Sequence, residues 1–129
     1  MKLFPAQNSE SLTAIALNAR IQVGQKIEAT TPLAQGVALL VAQPPRWDES
    51  KGTIDYYYWY HATRALFLLQ GPAWKVWKPA ITHVLTTHQS TEGDGAGSFP
   101  PADPWSDEGG RVYATAINLI TLEICAREP

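Results

Sequence analysis

The sequence predicts an all-α fold of about five helices, arranged as antiparallel α-hairpin repeats. Apolar residues recur at intervals of three and four, and alternation at period two is nowhere sustained. Proline and glycine separate the apolar segments at points expected for helix ends. Similar helix pairs also recur at a spacing of about 50 residues, which is typical of a helical repeat array.

The composition predicts one soluble, folded domain over residues 1–129. Ten Lys and Arg against twelve Asp and Glu, with no run of either sign, argue against nucleic-acid binding. The 45% hydrophobic content, with five Trp and five Tyr, is enough for a packed core. The single cysteine, Cys125, excludes an internal disulfide and fits a reducing compartment.

No targeting or membrane segment is predicted. The first residues turn polar before an apolar signal region could form. The longest nearly apolar stretch, residues 37–42, is far too short to span a bilayer. We therefore expect no membrane span and a cytoplasmic location.

A leading helix is predicted within residues 8–30. Ser9 can cap it, and Gly24 is placed to end it. Its apolar residues share one face and are expected to be buried: Leu12, Ile15, Ala16, Ala19 and Val23.

Residues 31–70 form the first predicted hairpin. Thr31 and Pro32 start its first helix, which ends before Pro44. Thr53 is the predicted N-cap of helix three, which runs to Gln70 and is apolar on most faces. Helix three is therefore expected to lie at the centre of the fold.

Residues 71–126 form the second predicted hairpin. Helix four is expected over about 73–89, with a kink or restart at Pro79. A long loop follows over 90–110, rich in Gly and Pro; such loops are functional or pack on their own body. Helix five, from Arg111 to Ala126, is expected to be mostly buried.

An internal repeat supports this arrangement. Ala62-Thr63 matches Ala114-Thr115 after 52 residues, and helices two and four both end in Leu-x-x-x-Gln. Units of two helices bury their apolar faces only by stacking on neighbours. Because helix three is apolar almost all round, we also expect a homo-oligomer or a larger protein partner.

Three segments carry a family resemblance. They are residues 55–63 (DYYYWYHAT), the stretch from Gln89 to Gly97-Ser98-Phe99, and residues 109–116 (GGRVYATA). In this order they resemble the prenyltransferase and squalene-oxidase repeat family, which includes the squalene-hopene cyclases. The resemblance covers roughly residues 30–126 and implies a partial α/α toroid, similar to the C-terminal end of a longer member.

Departures from the family pattern argue against its activities. Phe99 replaces a tryptophan, and Ala80 stands where a basic residue is usual. The Asp-rich motif that protonates cyclase substrates is missing, because Asp94, Asp103 and Asp107 are scattered through the loop. The zinc-ligand pattern of the prenyltransferases and the cysteine pattern of thioester proteins are also missing from this sequence. No catalytic residue, metal site or cofactor is therefore predicted.

The candidate ligand-binding residues lie mainly on helix three. Tyr57, His61 and Arg64 share one face and could bind an anionic or aromatic ligand through hydrogen bonds and cation–π contacts. The alternative is that Arg64 pairs with an acidic residue and His61 bonds a backbone carbonyl. Trp59 and Trp105, with Trp74 and Trp77, could instead line an aromatic cavity for an isoprenoid, or form core.

Other patterns favour structural roles. His83 and His88 are five residues apart, a poor spacing for one metal on a helix. Residues 92–95 hold carboxylates and glycines but lack the ligand spacing of an EF-hand. Gly109-Gly110 before a helix could hold an anion, but Asp107 and Glu108 already occupy that end.

The sequence thus favours a non-catalytic α/α-repeat interaction or scaffold module that associates with itself or docks onto a larger protein. The alternative is a terpenoid cyclase-like or prenyl-ligand-binding protein that takes an apolar small molecule. A third interpretation is a purely structural piece of a toroid. A protonatable Asp or Glu facing a closed aromatic cavity would favour the enzyme, and apolar residues at a symmetric interface would favour the interaction module.

Overall fold

The computed structural model describes residues 9–26, 28 and 31–128. This part of the chain contains five α-helices and no β-strand, which confirms the predicted all-α fold of about five helices. The elements are α1 (Glu10–Gln22), α2 (Pro32–Ala42), α3 (Tyr56–Leu69), α4 (Gly71–His88), a 3-10 turn (Gly93–Gly95) and α5 (Ser106–Ala126).

Two helices begin at the predicted caps, and a third does not. The Ser9 and Thr31 hydroxyls accept hydrogen bonds from the backbone N–H groups of Leu12 and Ala34, each the third residue of its helix. In α3 the cap is Asp55, which accepts from the Tyr58 N–H at 2.9 Å. The prediction of Thr53 was wrong: its hydroxyl instead donates to the Arg46 carbonyl at 2.8 Å and closes the preceding loop.

The chain turns sharply between α3 and α4 without a loop. Gln70 and Gly71 both adopt positive φ angles, 57° and 81°, which end one helix and start the next. Beyond this point α4 is one continuous helix with Pro79 in its interior. Pro79 is exposed, so that water can bind the backbone carbonyl that its missing N–H leaves unpaired.

Helix α5 begins earlier than predicted. Its first turn lies within the expected loop 90–110, and Gly110, at φ 59° and ψ −154°, separates that turn from the rest of the helix. The turn forms because the Asp103 carboxylate accepts from both the N–H and the hydroxyl of Ser106. Earlier in the loop, the chain packs against the rest of the fold. Phe99 is fully buried there, and its backbone N–H donates to the Thr115 hydroxyl.

The helices form two layers. Helices α1, α3 and α5 lie side by side in one layer, and α2 and α4 pack against each other in the second. Across the layers α1 packs on α2, and α4 packs on both α3 and α5. The predicted hairpin 31–70 joins α2 and α3, yet α2 has its main contacts with α1 and α4, and meets α3 through the Tyr58 hydroxyl bonded to the Gln43 carbonyl at 2.8 Å.

The three helices of the first layer run in the same direction. Glu10 at the start of α1 lies near Asp55, which caps α3, and the Asn18 side chain donates to the His61 carbonyl about two turns further along both helices. The first turns of α3 and α5 meet at Asp103. Helix α4 runs the opposite way, because Trp74 packs on Phe67 while Trp77 bonds Thr63.

Helix α3 is the centre of the fold, as predicted. It contacts α1, α4 and α5, and half of its residues are buried. The buried residues are Tyr56, Tyr58, Trp59, Ala62, Thr63, Ala65 and Leu66. The other helices therefore pack around α3 on several sides.

Each outer helix of this layer packs one apolar face on the core and leaves further apolar residues exposed on another side, contrary to prediction. In α1 the buried residues are Ala14, Leu17 and Asn18; of the five predicted to be buried, Ile15 is partly buried, and Leu12, Ala16, Ala19 and the C-cap Val23 are exposed. In α5 the buried face includes Ala114, Asn118, Thr121, Ile124 and Cys125, whereas Val112, Ala116, Leu119 and Ile120 are exposed. The expectation that α5 is mostly buried was wrong, because no described element covers this side of it.

Candidate functional site

Three of the predicted ligand-binding residues meet at the start of α3. Tyr57 and His61 lie one turn apart, with their rings edge to face at 4.6 Å between centroids. Trp105, from the turn before α5, places its ring 4.8 Å from that of Tyr57. Trp105 is 38% exposed, so this aromatic cluster is open to solvent on one side.

The other two predicted residues lie apart from this cluster. Arg64 is exposed one turn beyond His61, and burial together with the Arg64 charge lowers the pKa of His61. Arg64 forms no ion pair with any described residue. Trp59 packs into the core against Trp47 and Tyr56. A ligand-binding role for these five residues stays a prediction.

Asp55 joins the aromatic cluster to the helix start. Its carboxylate accepts from the Tyr58 N–H and from the Trp105 side chain. Burial raises the pKa of Asp55 to about 6, and the nearby charges of Asp103 and Glu10 act in the same direction. A carboxyl group with this pKa can hold or release a proton near neutral pH.

Asp103 is a second carboxyl group at the same place. It is 3% exposed and accepts hydrogen bonds from the Tyr56 N–H at 3.0 Å, from Ser106 and, at 3.5 Å, from the Tyr113 hydroxyl. Burial raises the pKa of Asp103, and these hydrogen bonds oppose that shift. Burial and the Asp103 charge also raise the pKa of Tyr113.

A cleft of about 410 Å³ opens beside Asp55. Its lining includes the carboxylates of Glu10 and Asp55, the aromatic side chains of Tyr58 and Trp59, and Arg46. The cleft is open to solvent, whereas the enzyme interpretation calls for a closed aromatic cavity. The arrangement can therefore hydrogen-bond and exchange a proton with a ligand, but it does not shield a reaction from water.

The sequence analysis did not predict that the carboxyl groups of Asp55 and Asp103 lie near each other. Asp55 was noted only as part of the segment 55–63, and Asp103 only as one of the carboxylates scattered through the loop. The only local signal was the spacing of Asp103 and Ser106, three residues apart, which is typical of a cap. Nothing in the sequence links Asp103 to Tyr56, because that contact is tertiary.

The remaining motifs have structural roles in the described part of the chain. His88 stacks on Trp47 at 3.9 Å, and its Nδ1 lies 2.8 Å from the Val84 carbonyl oxygen, while His83 is exposed. Gly93–Gly95 forms a 3-10 turn. Among the described residues, no group of three or more His, Cys, Asp or Glu is placed to hold a metal ion.

Comparison with known proteins adds no assignment. No protein-family model, curated protein or solved structure matches the chain. The resemblance to the prenyltransferase and squalene-oxidase repeat family therefore stays a prediction. Across the described ranges, no helix has the length and apolar character needed to cross a membrane.

Proposed function

We propose that this protein is a non-catalytic α/α-repeat interaction module that associates with copies of itself. The observation that carries the proposal is the exposed apolar stripe of α5. Val112 in this stripe is 82% exposed. Large contiguous apolar surface is typical of interaction sites. The stripe consists of Val112, Ala116, Leu119 and Ile120 and is called the α5 stripe below.

The internal repeat allows the α5 stripe to be compared with the equivalent positions of α3. With the 52-residue spacing, the α5 stripe corresponds to Tyr60, Arg64, Phe67 and Leu68 of α3. In α3 these four residues line a groove of about 380 Å³ whose other wall is α5 itself, including Ile120 and Ile124. In α3, Tyr60 and Phe67 are partly buried while Arg64 and Leu68 are exposed, whereas all four positions of the α5 stripe are exposed.

Burial of the α5 stripe against another helix is energetically favourable. A repeat unit hides its apolar face only against a neighbour, and each buried methylene contributes about 0.8 kcal/mol. Another copy of the chain can supply the missing helix. Self-association is therefore the function that the arrangement of the first layer supports best.

The molar mass as a function of concentration tests this proposal. By light scattering, we expect wild type to exceed the 14.2 kDa of one chain at high concentration. Leu119→Asp should stay at the monomer mass, because it places a charge on the α5 stripe. Val76→Asp, at an exposed apolar position on α4, is the matched control and should behave as wild type. A monomeric wild type at all concentrations contradicts the proposal.

The ligand-binding alternative rests on a different observation. Asp55, with its raised pKa, contacts Trp105, which in turn packs on Tyr57. This combination suits an apolar ligand with one polar end, such as a prenyl alcohol. Calorimetric titration with farnesol tests it: wild type should give saturable binding that Trp105→Ala removes and Val76→Ala keeps. Absence of saturable heat in wild type argues against this function.

A further inference from the structure

A strained residue lies at the turn between α3 and α4. Gln70 has φ 57° and ψ −163°, a backbone conformation that is essentially restricted to glycine, because the Cβ of any other residue is crowded there. Among the described residues it is the only non-glycine residue with a positive φ angle. Such strain persists only where the surrounding structure holds it, and it occurs at places where a chain switches conformation.

The turn is too short to spread this strain over a loop. Gln70 follows the last residue of α3, and α4 begins at the next residue, Gly71. On the α3 side the Gln70 N–H donates to the Leu66 carbonyl at 2.9 Å, and its side-chain amide donates to the Phe67 carbonyl. On the α4 side it makes no side-chain capping bond. One residue therefore reverses the chain between the two helices.

Contacts between the two parts of the chain on either side of this turn keep it closed. Helices α1–α3 lie before the turn, and α4 and α5 lie after it. The Trp77 indole N–H donates to the Thr63 hydroxyl at 2.9 Å, and the Asp103 carboxylate accepts from the Tyr56 N–H at 3.0 Å. Neither contact requires both partners to belong to the same chain. A second copy can therefore supply either partner with the same geometry.

The sequence of the turn suits an extended connection. Pro72 disfavours the α conformation at the preceding Gly71 and favours an extended one, so that α3 and α4 do not merge into one helix if the turn opens. Gln70 is then free to adopt an ordinary backbone conformation. Gly71 and Pro72 are also exposed, so that two open turns can pass each other at the surface without burying backbone groups.

From these observations we infer that residues 70–72 form the hinge of a domain-swapped dimer. In this dimer α4 and α5 of each copy pack on α1–α3 of the other, and the contacts between the two parts away from the turn are kept. The gain is the release of the strain at Gln70 in both copies, since short strained connections favour exchange. The α5 stripe takes no part, so that this inference is independent of the proposed function.

Exchange of this kind differs from surface association in its kinetics. Helices α4 and α5 must leave the core before they can pack on another copy, which exposes buried side chains such as Trp77 and Ile81. Interconversion should therefore be slow, and a dimer formed at high concentration should persist after dilution. Association through the α5 stripe requires no unfolding and should reverse at once.

Refolding at different protein concentrations tests the hinge. Protein unfolded in urea is refolded under reducing conditions at high and at low concentration, diluted, and analysed by size exclusion with light scattering. We expect concentrated refolding to give a dimer of the 14.2 kDa chain that persists after dilution, also in Leu119→Asp. Gln70→Gly removes the strain, so that its dimer fraction should be several-fold smaller. Gln43→Gly is the matched control, because Gln43 ends α2 at an ordinary φ of −118°, and it should behave as wild type.

Complementation of two full-length variants tests the exchange directly. Leu66→Asp places a charge in the core at α3 and Ile81→Asp does so at α4, and each variant alone should fail to fold. Refolded together, they should form a heterodimer with one intact lobe, built from α1–α3 of the Ile81 variant and α4 and α5 of the Leu66 variant. Circular dichroism should show recovered helix content. A mixture of Leu66→Asp with Trp59→Asp, both in α3, should recover none.

The other outcomes overturn the inference. If every dimer dissociates on dilution and is lost in Leu119→Asp, association occurs through the α5 stripe, and the proposed function stands without exchange. If a persistent dimer forms equally in Gln70→Gly, the turn is not the hinge. A complementation mixture that stays unfolded shows that the two parts are not exchanged. Should the Asp variants precipitate, Leu66→Ala and Ile81→Ala replace them, and the intact lobe is then recognised by its higher melting temperature.

Discussion

The Asp103 carboxylate accepts a hydrogen bond at 3.0 Å from the backbone N–H of Tyr56, 47 residues earlier in the chain. The same side chain accepts from the Ser106 N–H and hydroxyl. One loop residue thus satisfies backbone donors at the start of both α3 and α5. This bridge sets the two helices side by side with their starts at the same level, which is the arrangement on which the proposed association depends.

Removing this bridge should destabilise the fold. Asp103→Ala leaves the buried Tyr56 and Ser106 donors without their partner, and we expect the free energy of unfolding to fall by about 2–4 kcal/mol. Asp103→Asn should cost less, since its amide oxygen can still accept from Ser106. Urea unfolding followed by circular dichroism measures both changes.

An exposed acidic residue serves as the control for that series. Asp94, in the 3-10 turn, is exposed, and Asp94→Ala should change the free energy of unfolding by no more than about 0.5 kcal/mol. Equal losses for the Asp94 and Asp103 variants would show that the bridge contributes no specific stability.

Stability should fall as the pH rises through the range where Asp55 titrates. Its pKa is about 6 in the folded protein against an ordinary 3.8, so that the folded state binds this proton more tightly than the unfolded state. The contribution is fully present below about pH 4 and is lost as the pH rises through about 6. Because Asp55 is only partly buried, we expect an effect of about 1–2 kcal/mol.

Asp55→Asn isolates this effect. Asparagine also caps helices well but does not titrate, so that the variant should show a flatter dependence of the unfolding free energy between about pH 4 and pH 7. Asp103 acts in the same direction as Asp55, and His61, with its lowered pKa, acts in the opposite one. Parallel curves for wild type and Asp55→Asn would contradict the assignment.

Asn118 should be replaceable with a gain in stability. It is fully buried in α5, and neither atom of its amide group has a hydrogen-bond partner among the described residues. Leucine has a similar volume and no polar group to desolvate, so that Asn118→Leu should raise the free energy of unfolding by about 1–2 kcal/mol. Thermal unfolding tests this.

A smaller side chain at the same position provides the comparison. Asn118→Ala also removes the amide group but leaves a cavity, and it should be less stable than Asn118→Leu by about 1–3 kcal/mol. A Leu variant that is less stable than wild type would show that the amide group is hydrogen-bonded in solution.

Local features of the helices were predictable from neighbouring residues. Ser9 and Thr31 cap their helices because the capping bond spans only three residues. The central position of α3 followed from apolar residues on most of its faces, which need several neighbours. Tyr57 and His61 lie together as expected, because they are one turn apart, whereas the contact of Trp105 with Tyr57 was not predicted.

Other features depended on contacts that the local pattern does not contain. Thr53 and Asp55 are both good capping residues, and the choice between them followed from the Thr53 bond to Arg46 across the loop. The early start of α5 followed from Asp103. In both cases a partner outside the helix decided where the helix began.

The sequence by itself determined that the chain is helical, roughly where the helices lie and which residues share a face, since these properties depend on neighbours within a few positions. Only the tertiary structure decided which face is covered. An apolar stripe indicates that burial would be favourable. Whether a neighbouring helix covers it is decided by the tertiary packing. For one side of α1 and one side of α5 the described chain supplies no such neighbour, and the apolar residues on those sides therefore point outward.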